Sequence, residues 1–183
     1  LAGPSGAGKS RLAQRLALPV LRLDDFYREV TSADLPRIHT GPNAGMVDWD
    51  HPHAWAHERA VDALVALCRT GVARVPSYDL HTSTRTGHHD VTVGTARHFV
   101  AEGIFAAHVV GDCQRLGSLT AAYCVTQHPM LTFWRRLTRD LREHRKPPGV
   151  LLARGWTLMR AQGAVVREAV ALGCPPVSSD VAY

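Results

Sequence analysis

Gly3-Pro4-Ser5-Gly6-Ala7-Gly8-Lys9-Ser10 lies near the start of the 183-residue chain and fits the pattern G-x-x-x-x-G-K-[ST]. Its glycines let the backbone turn tightly, so that main-chain N–H groups can approach phosphate oxygens. Lys9 supplies a positive charge for the β- and γ-phosphates, and the Ser10 hydroxyl can ligate Mg²⁺. A glycine-rich turn that binds nothing is the alternative, but four fixed positions at fixed spacing favour nucleotide binding. The predicted nucleotide-binding residues are Gly3, Ser5, Gly6, Ala7, Gly8, Lys9 and Ser10.

The composition is ordinary for a soluble globular protein, with 45% hydrophobic and 20% charged residues. A chain of this length is most simply one domain, residues 1–183. No apolar run approaches a membrane span, no signal peptide is visible, and the cysteines are scattered, so we expect a cytoplasmic protein without a membrane partner. Because a phosphate loop follows a central strand of about five or six residues, we expect that strand to begin upstream of Leu1.

The positive charge is concentrated in one segment. The chain has a formal net charge of +5, and residues 135–146 contain six basic and two acidic residues, which leaves only one net charge elsewhere. A single basic cluster suits a polyphosphate ligand better than an extended nucleic acid. We therefore expect no nucleic-acid partner.

The remaining chain alternates between apolar runs and helical periodicity. This order predicts an α/β fold with a doubly wound parallel sheet and helices on both faces, of the P-loop NTPase type. A stripe of Val61, Leu64, Val65 and Cys68 predicts a helix, and Gly71 is placed to cap it. The predicted elements are strands at 20–23, 72–75, 91–93, 98–101 and 121–125, a loop at 31–48, a polar turn segment at 78–90, helices at 53–70 and from Pro129, and a helical tail at 149–173 broken near Gly163.

Five later stretches follow the loop in an informative order. They are Asp24-Asp25-Phe26-Tyr27-Arg28, Asp48-Trp49-Asp50-His51-Pro52, Tyr78-Asp79, Glu102-Gly103 and Arg135-Arg136-x-x-Arg139-Asp140. Together they resemble the uridine kinase (uridine–cytidine kinase) family across residues 1–146. The match departs from the family after Tyr78-Asp79, where Leu80 and Ser83 replace an aromatic residue and a histidine.

The resemblance implies a role for each matched residue. Asp24 corresponds to the catalytic aspartate, which takes a proton from the acceptor hydroxyl and lies near Mg²⁺, and Glu102 corresponds to an acidic group beside the metal. Arg136 and Arg139 correspond to catalytic arginines of a lid around residues 135–148, with Arg136 also near the substrate. The implied acceptor residues are Tyr27, Tyr78 and Asp50, and the implied metal residues are Ser10, Asp24 and Glu102.

Each role has a structural alternative. Asp25, rather than Asp24, is the better candidate to cap a helix at Phe26, and Asp50 before Pro52 could also cap a helix. Glu102 could be a solvated carboxylate at a strand end. The arginines could form an exposed helix face.

The histidines are expected to lie on the surface. His53 and His57, and the stretch His88-His89-Asp90, lack the H-E-x-x-H pattern of a zinc site.

The combined prediction is an ATP- and Mg²⁺-dependent kinase that phosphorylates a primary hydroxyl of a nucleoside or a similar small metabolite. Phosphoryl transfer needs an in-line hydroxyl and positive charge around the transferred group, which these residue types supply. Two alternatives are a kinase of another small alcohol, such as pantothenate or a sugar phosphate, and a nucleotide-binding regulatory module. The expected partner is the small-molecule acceptor, and the sequence is compatible with a homo-oligomer but does not give the oligomeric state.

Overall fold

The computed structural model describes residues 1–41, 44–142 and 162–178 of the chain. Helices and strands alternate through it, so the protein has a mixed α/β fold. In chain order the elements are α1 (Lys9–Arg15), β1 (Val20–Arg22), α2 (His57–Thr70), β2 (Val72–Asp79), β3 (Thr84–Thr92), β4 (Val100–Glu102), α3 (Val110–Arg115), β5 (Cys124–Thr126), α4 (Pro129–Arg142), α5 (162–171) and β6 (Pro176–Ser178).

Parallel strand pairs form the centre of the fold. β1 pairs with β4, and β5 pairs with β6. Leu1 joins the two pairs on one side through a hydrogen bond from its nitrogen to the Ala101 carbonyl at 2.6 Å. Ala2 joins them on the other side, because its carbonyl accepts from the Val125 N–H at 2.8 Å. The strand order is therefore β1, β4, residues 1–2, β5, β6, and the carboxyl ends of the strands share one edge with the phosphate loop.

A long antiparallel hairpin lies beside this sheet. β2 and β3 pair from Val72 opposite Thr92 to Asp79 opposite Thr84, with an irregularity at Ser77. The polar turn predicted at 78–90 was therefore wrong, since the turn is confined to residues 80–83. Most β3 side chains are exposed, so that strand has no apolar alternation by which its sequence could be recognised.

Helix α2 begins four residues later than predicted. Pro52–Ala54 forms a short 3₁₀ turn, and the α-helix starts at His57. Its buried residues are Ala60, Ala63, Leu64 and Leu67. The predicted stripe is thus correct at Leu64 but wrong at Cys68, which is exposed, because small alanines occupy the face that packs closely on the core. Gly71 caps the helix as predicted, with φ of 74° and its N–H bound to the Leu67 carbonyl.

The later strands and helices are of the predicted types, but their boundaries differ from the predicted ones. β4 and β5 occur close to the apolar runs that predicted them, and α4 begins at Pro129 as expected. The described part of α5 begins at residue 162, so the predicted break near Gly163 falls at the edge of the described residues and stays a prediction, and β6 was not predicted. The predicted tail before residue 162 lies outside the described residues. No helix in the described ranges is long and apolar enough to cross a membrane.

Candidate active site

The phosphate loop needs its glycines for both conformation and space. Gly3, Gly6 and Gly8 have φ of 133°, 86° and 100°, a region that residues with a Cβ rarely adopt. A Cβ on Gly3 would collide with the Val125 carbonyl, and one on Gly6 would lie 3.0 Å from the Thr132 carbonyl. The loop is therefore held between β5 and the start of α4, and bulkier residues at these positions would displace it.

Lys9 is buried within the loop, although it carries a charge. It is only 7% exposed, and its ammonium group donates hydrogen bonds to the carbonyls of Gly3 at 2.8 Å and Pro4 at 3.1 Å. The N–H of Ala7 binds the Pro4 carbonyl across the same loop. These bonds place the ammonium group inside the curve of the loop. Ser5 lies in the same loop and is half-buried.

Ser10 and Glu102 meet although 92 positions separate them. The Ser10 hydroxyl donates to Glu102 Oε1 at 2.8 Å, and Glu102 is only 5% exposed at the end of β4. The solvated-carboxylate alternative for Glu102 is therefore wrong. One hydroxyl and a nearby carboxylate suit Mg²⁺, which keeps several waters and uses few protein ligands. A group of three His, Cys, Asp or Glu side chains able to hold a metal does not occur among residues 1–41, 44–142 and 162–178.

Asp24 lies beside the same strand end. Leu23–Phe26 forms a 3₁₀ turn directly after β1, and Asp24 Oδ1 accepts the main-chain N–H of Ile104 at 3.0 Å. Because Ile104 follows Glu102 by two residues, the structure brings Asp24 to the region of Ser10 and Glu102. These are the three residues that the sequence assigned to the metal.

Asp25 is buried and does not cap a helix. The turn begins after Arg22, and no side chain caps it, so the predicted cap at Phe26 was wrong. Asp25 is 6% exposed, and its burial raises the pKa of its carboxyl, opposed in part by the charge of Arg22. The two adjacent aspartates therefore have different surroundings, with Asp24 at the edge of the sheet and Asp25 in the interior.

The two predicted acceptor tyrosines belong to an aromatic cluster. The Tyr27 ring lies 5.9 Å from the Tyr78 ring, 5.9 Å from Trp49 and 5.8 Å from Phe105. Tyr27 is 9% exposed. Phe105 was missed by the sequence analysis, although its position two residues after Gly103 at a strand end was a usable signal. Tyr27 and Phe105 are buried in the core, and Tyr78 is the half-buried member of the two predicted tyrosines.

The Tyr78 hydroxyl is engaged within the protein. It donates to the Arg28 carbonyl at 2.9 Å, and burial raises the pKa of Tyr78 to about 12. The bond links the hairpin to the segment that follows the Asp24 turn. In this conformation the ring of Tyr78, rather than its hydroxyl, is the part available to a ligand.

Asp50 is exposed and does not cap the following turn. Its N–H donates to Asp48 Oδ1 at 3.2 Å. His51 is the capping residue instead, because its Nδ1 accepts the His53 N–H at 3.1 Å. The capping alternative for Asp50 was therefore wrong. Its predicted contact with an acceptor stays a prediction.

The predicted lid arginines belong to helix α4. Thr132 at the start of α4 lies against Gly6 of the phosphate loop, so the helix begins next to that loop. Positions 136 and 139 follow Thr132 at spacings of four and seven and share its helix face. The side chains of Arg136 and Arg139, and residues 143–148 of the predicted lid, lie outside the described part of the chain.

Comparison with known proteins gives a consistent result. Uridine kinases from Aeromonas salmonicida and Aeromonas hydrophila are each 29% identical over 157 residues, which covers 78% of this chain and 67% of theirs. The inorganic pyrophosphatase TTM1 of Arabidopsis thaliana is 26% identical over 106 residues, 58% of this chain and only 15% of that protein. No protein-family model matches the chain.

The fold is shared with a solved structure. A crystal structure from Silicibacter sp. TM1040, named as a candidate fructose transport system kinase, superposes with a TM-score of 0.65 and 18% identity over 96% of this chain and 86% of that one. At this identity the match shows the fold alone. The resemblance predicted from the motifs is confirmed by the sequence matches. By sequence, the chain is similar to the uridine kinases across 78% of its length.

Proposed function

We propose that the protein is an ATP- and Mg²⁺-dependent kinase that transfers a phosphoryl group to a primary hydroxyl of a small molecule of the nucleoside type. One observation supports this most strongly. The phosphate loop, the Ser10–Glu102 hydrogen bond and the Asp24 carboxylate come together at one edge of the parallel sheet, from three separate parts of the chain. The similarity to uridine kinases supports the same activity.

The reaction uses these residues in distinct roles. Asp24 takes the acceptor proton as the hydroxyl oxygen bonds to the γ-phosphorus and the bond to the bridging oxygen breaks. Ser10, Asp24 and Glu102 would hold Mg²⁺, which when bound neutralises charge on the phosphates. Main-chain N–H groups of the loop and Lys9 orient the phosphates.

Helix α4 supplies the remaining positive charge in this proposal. Arg136 and Arg139 close over the phosphates as part of a lid, where their planar donors suit phosphate oxygens. Around them the chain forms a single domain of the P-loop NTPase type, with helices on both faces of a doubly wound sheet. The protein then acts in the cytoplasm on small molecules.

The acceptor is the part of the proposal with a competing candidate. A nucleoside would place its base against the half-buried ring of Tyr78, which Tyr27 supports from behind, and bind Asp50 through its ribose hydroxyls. The Tyr78 hydroxyl is bonded to the Arg28 carbonyl, and Asp50 is exposed, so neither is bound in a formed nucleoside pocket. A second candidate is therefore a kinase of another small alcohol, such as pantothenate or a sugar phosphate.

An acceptor screen tests the proposal. Purified protein with saturating ATP and Mg²⁺ is assayed for ADP release with ribonucleosides, pantothenate and sugar phosphates, and Lys9→Ala serves as the inactive control. We expect acceptor-dependent ADP release with a ribonucleoside. Release only with another alcohol would select the second candidate. ATP binding without release for any acceptor would contradict kinase function and support a regulatory module.

A further inference from the structure

The carboxylate of Asp24 is held by the main chain that follows β4. The N–H of Ile104 donates to Asp24 Oδ1 at 3.0 Å. A Cβ built on Gly103 would lie 2.8 Å from the same oxygen, closer than Cβ atoms approach other atoms in proteins. The oxygen therefore occupies space that only a glycine leaves open, and it receives its hydrogen bond from the next residue.

Backbone conformation does not explain the glycine at this position. Gly103 does not have a positive φ, whereas the glycines of the phosphate loop do. Its other close neighbours are Leu23 Cβ at 3.0 Å and the Asp24 main-chain nitrogen at 3.3 Å, so the main chain of the turn would also have to shift by a few tenths of an ångström to admit a Cβ. The hardest contact is with the end of a side chain that can rotate away. An alanine here should therefore displace the Asp24 carboxylate most and shift the turn that carries it by a smaller amount.

We infer that Gly103 and the Ile104 amide are positioning residues for the proton-accepting carboxylate of Asp24. The Ile104 N–H fixes Oδ1, the missing Cβ of Gly103 leaves room for it, and Oδ2 takes the proton of the acceptor hydroxyl. This inference rests on the proposed kinase function. It explains why Gly103 and Ile104 follow Glu102. The proposed metal role of Glu102 alone does not explain this.

Gly103→Ala tests the inference against a matched control. Gly87 also has no positive φ, and a Cβ there would meet no atom within 4 Å, so Gly87→Ala should behave as wild type. For Gly103→Ala we expect kcat to fall on the order of 10²-fold, the lower end of general-base loss. ATP affinity should stay within about twofold, and the melting temperature within about 4 °C. A kcat within twofold of wild type would overturn the inference.

The same substitution made in the Asp24→Ala variant separates an effect on the position of the Asp24 carboxylate from general damage to the fold. In Asp24→Ala the carboxylate is gone, so adding Gly103→Ala should lower kcat no further. An additional loss equal to that in the wild-type background would overturn the inference.

Thermal unfolding gives a readout that does not depend on activity. If no acceptor supports turnover, the proposed function fails, and the positioning role is judged by melting temperatures alone. Gly103→Ala should then lower the melting temperature less in the Asp24→Ala variant than in wild type, because the contact between the new Cβ and Asp24 Oδ1 is absent. Equal losses in the two backgrounds would contradict the contact itself.

Discussion

At the scale of the residue, neighbours in sequence have different physical roles. Asp24 and Asp25 are adjacent carboxylates, yet the first binds the Ile104 amide at the sheet edge and the second is buried. The family resemblance implied a catalytic role for Asp24, and that role stays a prediction. It could not predict the burial of Asp25, which depends on a 3₁₀ turn and on packing against distant strands.

The buried carboxyl of Asp25 should make stability depend on pH. Its pKa is raised in the folded state from 3.8, so the folded protein binds the proton more tightly than the unfolded chain does. The free energy of unfolding therefore falls as pH rises above about 4 through the folded pKa. Asp25→Asn removes this dependence. We expect the melting temperature of the variant, minus that of wild type, to increase between pH 4 and 7. A difference that is constant with pH would contradict this.

The Tyr78 hydroxyl should contribute to stability rather than to acceptor affinity. Tyr78→Phe removes its bond to the Arg28 carbonyl, which typically costs about 1 kcal/mol, or about 2–4 °C in melting temperature. The acceptor KM should change less than twofold. Tyr123→Phe, at a side chain that is 45% exposed, is the control. A large rise in the acceptor KM with an unchanged melting temperature would instead indicate that the Tyr78 hydroxyl binds the acceptor.

At the scale of the element, prediction succeeded where apolar residues mark burial. The strand at Val20–Arg22 and the cap at Gly71 follow from local signals, namely an apolar run and a left-handed glycine. The hairpin strand Thr84–Thr92 could not be recognised, because its side chains are mostly exposed and polar. Its pairing depends on β2, which is a long-range contact rather than a property of its own sequence.

Helix α4 gives a prediction at this scale. Arg136→Ala and Arg139→Ala should each lower kcat more than ATP affinity, because lid closure matters most in the transition state. Arg115→Ala, on the separate helix α3, should leave both unchanged and serves as the control. Equal losses of kcat and ATP affinity would indicate ground-state phosphate contacts. Unchanged kinetics would support the exposed-face alternative.

At the scale of the whole molecule, the sheet assembles the site from remote segments. Residues 1–2 lie between β4 and β5, so the loop that follows them emerges beside the end of β4. Motif order predicted that Ser10, Asp24 and Glu102 belong to one site, and the parallel arrangement explains why. The hydrogen bonds of the Asp24 carboxylate and the Tyr78 hydroxyl to main-chain groups were not predictable, because any residue can supply such a partner.

The central claim is that this edge of the sheet carries out phosphoryl transfer with Asp24 as the proton acceptor. The most direct test compares acceptor-dependent ADP release by Asp24→Asn and Asp25→Asn at saturating Mg²⁺. The two variants carry the same substitution at adjacent positions. We predict that Asp24→Asn loses about 10²–10⁴-fold in kcat, while Asp25→Asn stays within a few fold of wild type. Equal activity of the two variants would contradict the claim.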